Sequence, residues 1–511
     1  MLKSFLSGIM VVGMLSAYAG MAYADDNKLV ILHTNDTHSQ IDPDPDHDFG
    51  GVARRKVLID SVKSVHDNVL LIDAGDMVQG TLFFNLNEGE VENKLADALG
   101  YDIRILGNHE FDNGMDGLRK QIMDTKSQWL STNYKFSDSD LAKKFAPYTI
   151  KEFDGKKIGF IALNLQPKGM ISPGNYDGVE YMDLYDAANS TAWLLKNSEG
   201  CDLVVAITHI GYKPNGTDTN DLRLAANSKD IDIILGGHSH TGINPDAVHS
   251  RTPWLVPNAE GNLIMVAQNA KAGKSMSEIT IDLKKMKYDY KQLTVDKRLD
   301  DRLDPKIEEI IAPYRPGVDS LMNLRVAESA VDLPANSTRL LNFLADYMKI
   351  RGNELVGDVD FGMVNIGGVR RGLKAGKVTE GQVLMMLPFN NKIEVLNVSG
   401  KDLIENFNIM VGGDGLSASV SSDVEVVYDP VSKKCSEVLI NGKTIDPTKT
   451  YRLATIDYLA NGGDYMEPLT RGCKVGASKD KFSTDFLKYL RKNFTKKLIN
   501  PSDKQRIHTE D

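Results

Sequence analysis

The feature that most constrains this 511-residue chain is a pattern that occurs five times in its first half. LVILH (29–33) runs into TNDTH, NVLLI (68–72) into DAGD, and DIRIL (102–106) into GNHEFD. Further on, DLVVAIT (202–208) runs into HIG and DIDIIL (230–235) into GGHSHT. Each run is short, apolar and rich in β-formers, as strands buried on both faces are, and each stops at a Gly- or Asp-rich turn. Amphipathic helical patterns lie between them. In GGVARRKVLIDSVKSVH, for example, Val52, Leu58, Val62 and Val65 recur at near-helical spacing. Strands alternating with helices predict an α/β layered fold, and such folds bind ligands beyond the carboxyl ends of their strands.

The polar side chains at those ends are Asp36, His38, Asp76, Asn108, His109, Asp112, His209, His238 and His240. Five of the ten histidines in the chain fall in these turns. Singly, each turn has an ordinary explanation: Asp36 as a cap or turn former, His209 as a satisfied structural histidine, and one of Asp73 and Asp76 as a backbone acceptor. His238 and His240 form a stronger pair, because i and i+2 side chains of an extended chain point the same way. Five independent turns carrying imidazole, carboxylate or amide groups point together to a metal centre. The donors are nitrogen and oxygen with no thiolate, which suits Zn²⁺, Mn²⁺, Fe or Co²⁺. Seven candidate ligands exceed the needs of one tetrahedral ion and suit two divalent ions roughly 3.5–4 Å apart.

Composition narrows the partners. With a net charge of −10 and no long basic block, the chain is not built to bind a nucleic-acid polymer, which needs clustered Lys and Arg. A small anion remains a suitable ligand, since a local metal or arginine overrides the overall field. The first 24 residues read as a cleaved secretory signal: Lys3, an apolar stretch from Phe5 to Leu15, and Ala22-Tyr23-Ala24 before the cut. No later apolar run has the length of a membrane span. The expectation is an exported, periplasmic or secreted, monomeric protein with no membrane insertion after cleavage. Three cysteines are too few for a disulfide framework; Cys435 and Cys473 share a region and could pair, while Cys201 opens an apolar strand as a buried thiol.

The second half has a different character. Residues 291–320, KQLTVDKRLDDRLDPKIEEIIAPYRPGVDS, are highly charged, contain three prolines and lack strand alternation, which predicts a linker helix near 305–312. A separate α/β unit then begins near 326. STRLLNFLADYM reads as a helix capped by Ser337 or Thr338, with Leu340, Leu341, Leu344 and Met348 as its core face. VDFGMVNIGGVRRGL, MMLPFNNKIEVLNVSGKDL and YRLATIDYLANGGDYM follow. By residue chemistry alone, a Phe after Pro is ordinary core packing and NGGD an ordinary turn.

In this order, D-x-H, GD, GNHE, a lone H and GH-x-H resemble the metallophosphoesterase superfamily. With its C-terminal half, the mature chain resembles the bacterial 5′-nucleotidase family, which includes UDP-sugar hydrolases and 2′,3′-cyclic phosphodiesterases. The resemblance implies a four-layered α/β sandwich over 25–295, a linker or hinge helix over 296–325 and a separate α/β, or α+β, nucleotide-binding domain over 326–511. It also implies a first metal on Asp36, His38 and His240, a bridging Asp76, and a second metal completed by Asn108, His209 and His238. His109 and Asp112 correspond to the catalytic pair, while Glu110 has no assigned task, and an exposed or structural role is its default.

In the C-terminal half, Asn365 and Arg370 match the N-x-G-G-x-R element of the family, Phe389 its P-F, and Tyr458 with Asp464 its aromatic-x-x-N-G-G-D. The implied roles are base stacking by Phe389 and Tyr458, ribose recognition by Asp464 and phosphate binding by Arg370. Tyr458 stands where Phe is usual, and only Arg339 lies near the region where some relatives place further arginines. The implied activity is release of phosphate from nucleoside 5′-monophosphates in extracytoplasmic nucleotide salvage. Hydrolysis of 2′,3′-cyclic nucleotides and 3′-nucleotides, or of UDP-sugars, would use the same metals. A nucleotide-binding or adhesion protein with a dead metal site would have lost a ligand or the His109–Asp112 pair, and all of these are present.

Overall fold

A computed structural model describes residues 27–213, 219–246, 252–413 and 415–510. The signal segment read from residues 1–24 lies outside them. All five apolar runs form strands: Lys28–Thr34, Val69–Asp73 and Ile103–Arg104 in one sheet, Leu203–His209 and Ile233–Leu235 in another. The first sheet has seven strands, with Lys28–Thr34, Val69–Asp73, Ile103–Arg104 and Gln128–Leu130 parallel at its centre and the antiparallel strands Ser275–Asp282 and Lys287–Thr294 at one side. The second has six, of which Lys156–Asn164, Leu203–His209, Ile233–Leu235 and Leu263–Ala267 run parallel.

Side-chain alternation along the strands makes the layers. From Lys28–Thr34 and Val69–Asp73, residues Leu29, Ile31, Leu70 and Ile72 point into a core shared with the second sheet. Val30, Leu32 and Leu71 point the other way, against the helices Val52–Lys63 and Glu90–Leu99. The helix Leu184–Asn197 packs on the second sheet through Leu184, Ala188, Ala192 and Leu195. Helix, sheet, sheet, helix is the four-layered α/β architecture expected from the sequence. One detail differs: the helix Val52–Lys63 ends before Val65, which is exposed because it lies beyond the helix and not on its apolar face.

In the charged region, Asp304 caps the helix Pro305–Ile311, accepting from the Lys306 N–H, and proline occupies its first position. Ile307 and Ile311 of this helix pack into the N-terminal core. A second core begins at Val326. There the helix Thr338–Val356, capped by the Ser337 hydroxyl, buries Leu340, Leu341, Leu344 and Met348. It packs against a five-stranded sheet that includes Phe361–Asn365, Lys392–Ser399, Thr450–Ile456 and Cys473–Lys481. The three cysteines are separate thiols, so Cys435 and Cys473 do not pair, while Cys201 is buried. Among the described residues no helix is long and apolar enough to cross a membrane.

Arg506 ties the C-terminal segment to this second core. Its buried guanidinium donates to both oxygens of Asp346 at 2.8 Å and to the Val420 carbonyl at 2.8 Å. Arg506→Ala is expected to destabilise the C-terminal domain by about 2 kcal/mol, since charge-assisted hydrogen bonds are lost and a buried carbonyl is left unpaired. Urea unfolding followed by a probe within that domain reads the shift.

Candidate metal centre and adjoining cleft

The carboxyl ends of both central sheets meet at one place, and every donor from the sequence pattern lies there. The first sheet contributes Asp36 and His38 after Lys28–Thr34, Asp76 after Val69–Asp73 and Asn108 after Ile103–Arg104. The second contributes His209 as the last residue of Leu203–His209, and His238 and His240 after Ile233–Leu235. Five of these seven residues have left-handed backbone: Asp36 (φ 51°), His38 (48°), Asp76 (54°), His238 (78°) and His240 (57°). That conformation costs an L-residue energy and persists where surrounding contacts over-determine it. The contacts here are backbone hydrogen bonds between turns: Asp36 N–H to Gly75 C=O, His38 N–H to Asp76 C=O and Ser39 N–H to Met77 C=O.

The donor atoms fall into overlapping groups. Those of Asp36, His38 and His240 lie within 4.8 Å of one another, as do those of Asp76, His209 and His238. His38, Asp76 and His109 form a third group on the same criterion. The Asn108 side-chain oxygen lies 3.0 Å from His238 Nδ1. Asp73 is the backbone acceptor of the DAGD turn: it takes the Gly75 N–H and the Thr34 hydroxyl, which leaves Asp76 at the centre.

His209 tests whether these residues suit a cation. Its Nδ1–H donates to the Ala74 carbonyl at 2.7 Å, which turns Nε2 toward Asp76 Oδ2, 3.1 Å away in a fully buried position. His38 Nε2 and His240 Nε2 likewise face each other at 3.0 Å. Imidazole nitrogens and carboxylate oxygens converging in a buried space favour positive charge among them, and a divalent ion would supply it. For three of the four histidines the protonation tendencies agree. Burial holds His38, His238 and His240 well below the usual histidine range, the neutral form that ligates metal. His209 differs: burial opposes its protonation, but the Asp76 and Asp36 carboxylates override it and hold it at about 10, so a cation bound between them would take the place of that proton.

His109 stands beside this cluster. Its Nδ1 is 3.0 Å from Asp112 Oδ2 and its Nε2 is 3.9 Å from Asp76. Burial lowers its pKa, and the facing Asp112 and Asp76 carboxylates outweigh burial to raise it. Glu110, left without a task by the sequence, is 1% exposed and takes three backbone amides. Of its two defaults, the exposed one is therefore corrected to a buried, structural one; nothing in the run of letters GNHEFD separates these two outcomes.

A cavity of about 170 Å³ opens from the cluster and is lined by residues of both halves of the chain, including His109, Arg370, Phe389, Tyr458 and Asp464. Arg370 Nη2 reaches to 3.3 Å from His38 Nε2, and its guanidinium lies 5.9 Å from the Phe389 ring centre. Phe389 stacks on His109 at 5.7 Å. Asp464 accepts from the Tyr458 hydroxyl at 2.9 Å and from the Asn365 amide at 3.0 Å. A Cβ on Gly463 would lie 2.5 Å from the Tyr458 ring, so only glycine lets the NGGD turn close over that face. Arg339 pairs instead with Asp503 and the Pro501 carbonyl, and is not among the residues lining the cavity. No sequence pattern pointed to the loop at Gly169–Met170. Its Gly169 carbonyl accepts from Asp464 N–H at 2.9 Å, and Met170 lines the cavity.

Two family profiles match the chain: calcineurin-like phosphoesterase over residues 29–242 and 5′-nucleotidase, C-terminal domain, over 322–471. The 5′-nucleotidase of Vibrio vulnificus (strain CMCP6) is 28% identical over 484 residues, 87% of this chain and 86% of that protein. The trifunctional nucleotide phosphoesterase YfkN of Bacillus subtilis (strain 168) is 26% identical over 92% of this chain, which spans only about a third (34%) of its length. Among solved structures, a 5′-nucleotidase precursor from Thermus thermophilus superposes with a TM-score of 0.82 at 28% identity, covering 94% of this chain and 99% of that one. With the donor cluster, these matches make the protein a metal-dependent phosphoester hydrolase: the chain belongs to the family in which a calcineurin-like phosphoesterase domain is joined to a 5′-nucleotidase C-terminal domain.

Proposed function

We propose that this protein is an exported dinuclear-metal phosphohydrolase that releases phosphate from nucleoside 5′-monophosphates for extracytoplasmic nucleotide salvage. The observation that carries the reading is the single cavity lined by four members of the donor cluster (Asp76, Asn108, His238 and His240), an arginine, two aromatic rings and a buried carboxylate. A phosphate, a sugar and a base present that order of chemistry.

In this reading Asp36, His38 and His240 would hold one ion and Asn108, His209 and His238 the other, with Asp76 placed between the two groups. Bound there, divalent ions supply positive charge to the phosphoryl oxygens and lower the pKa of water toward ~7. The side chains of the chain do the rest. Arg370 pairs its planar fork with phosphate oxygens, Phe389 and Tyr458 bracket the base, and Asp464, oriented by Tyr458 and Asn365, accepts from ribose hydroxyls. Asp112 takes the Nδ1 proton of His109 as a hydrogen bond and favours the imidazolium, which presents its Nε2 proton to the departing 5′ oxygen. A second reading, cleavage of larger substrates such as UDP-sugars, draws on the neighbouring cavity of about 510 Å³ that shares Asp112, Phe389 and Tyr458 with the first.

Four outcomes are expected. Phosphate release should stop on chelation and return with Mn²⁺ or Zn²⁺. A panel of AMP, UMP, 3′-AMP, 2′,3′-cAMP and UDP-glucose should show the highest kcat/KM for a 5′-monophosphate; turnover that survives full chelation ends the proposal. His109→Ala should lower kcat by roughly 10²–10⁴-fold, the usual contribution of a positioned proton donor, while bound metal per chain stays the same by elemental analysis. Phe389→Ala should raise KM for AMP by roughly 5- to 150-fold, corresponding to about 1–3 kcal/mol of lost base stacking.

A further inference from the structure

Glu110 belongs to none of the donor groups and is not among the residues lining the cavity, yet it is one of the most buried carboxylates in the protein. Its Oε2 accepts from Gly107 N–H at 2.6 Å and from Asp76 N–H at 3.0 Å, and its Oε1 accepts from Met77 N–H at 3.0 Å. Asp76 returns the contact, since its Oδ1 accepts from His109 N–H at 2.9 Å. Two turns that follow different strands are thus locked by reciprocal carboxylate–amide bonds. Their approach is so close that a Cβ on Gly107 would stand 2.1 Å from Asp76 Oδ1. The lock extends to a third turn, because the Asp76 and Met77 carbonyls accept from His38 N–H and Ser39 N–H.

We propose that Glu110 is the positioning residue of the metal centre: by gathering three amides it sets Asp76 directly and His38 through it, and so governs how tightly cations are held, not how substrate binds. The proposal rests on reading the donor cluster as a metal centre. The chemistry selects a carboxylate. Three N–H groups converge on it, and a carboxylate offers them an acceptor oxygen at each end. A glutamine there turns an NH₂ toward one of those amides, which leaves a buried donor without an acceptor. Groups that orient metal ligands from behind typically change metal affinity about 10–100-fold when altered.

The test compares wild type, Glu110→Gln and Glu110→Asp as full chains. Mn²⁺ affinity is measured by competition with a chromogenic chelator, bound metal by elemental analysis, and AMP kinetics across a Mn²⁺ titration. Glu110→Gln is expected to bind Mn²⁺ about 10–100-fold more weakly and to regain activity as Mn²⁺ is raised, with an unchanged KM for AMP at saturation. Glu110→Asp keeps the charge on a shorter arm and should fall between. A folded Glu110→Gln with wild-type Mn²⁺ affinity overturns the proposal. So does a loss of activity that excess Mn²⁺ does not restore, or the failure of both variants to fold, which assigns Glu110 to fold stability alone. A wild-type protein that binds no Mn²⁺ or Zn²⁺ sinks the metal-centre reading itself, a result separate from these.

Discussion

The rest of the structure is arranged around the convergence of lone pairs at the meeting edge of two sheets. Two carboxylates, four imidazoles and an amide oxygen crowd into one largely buried space, and several of their acceptor atoms stand within hydrogen-bond distance of each other. Without compensating charge, such a cluster opposes folding, because buried acceptors repel and remain undersolvated. It is therefore a site built for cations, and the elements around it hold it together. The apolar alternation of the strands fixes where their ends fall, and the shared core between the sheets fixes their separation.

Holding those ends requires backbone that most sequences avoid. Left-handed residues cost of order 1–3 kcal/mol each, and five of the seven candidate ligands adopt this conformation. Aspartate and histidine tolerate it better than branched residues do, so ligand chemistry and turn geometry favour the same amino acids. The turns support one another: Asp36 accepts from His238 N–H with both oxygens and donates its own amide to Gly75. Each ligand is also a structural partner of another turn. A substitution at one of them consequently disturbs more than one donor.

Much of this was legible in the sequence because strand burial leaves a one-dimensional trace. The apolar runs, their abrupt ends and the histidine enrichment are local patterns, and each proved to be a strand ending at the cluster. The helix 338–356 and the Pro305 helix start were legible for the same reason, as caps and periodicity are also local. What was not legible depends on contacts between distant turns. Glu110 reads as any polar residue in a Gly-rich turn until Asp76 and Met77 are placed against it. Gly169 and Met170 belong to no periodic pattern and matter only because the other domain meets them. Val65 misled because periodicity does not say where a helix stops.

The cleft illustrates how two cores produce one site. Each half has its own apolar core, and polar contacts join them at the cleft: Arg371 to Gln40, Asn390 to Asn113, Lys168 to Glu467. Arg370 crosses it, bringing a guanidinium to His38 from 332 residues away in the chain. Tyr458 crosses it as well. Its hydroxyl donates to Asp464 at 2.9 Å and lies 3.3 Å from the Gly169 carbonyl of the N-terminal domain. The Tyr458 hydroxyl thereby orients the carboxylate beside it and meets the opposing loop. Neither domain alone presents both the cation cluster and the groups that would recognise what lies next to it.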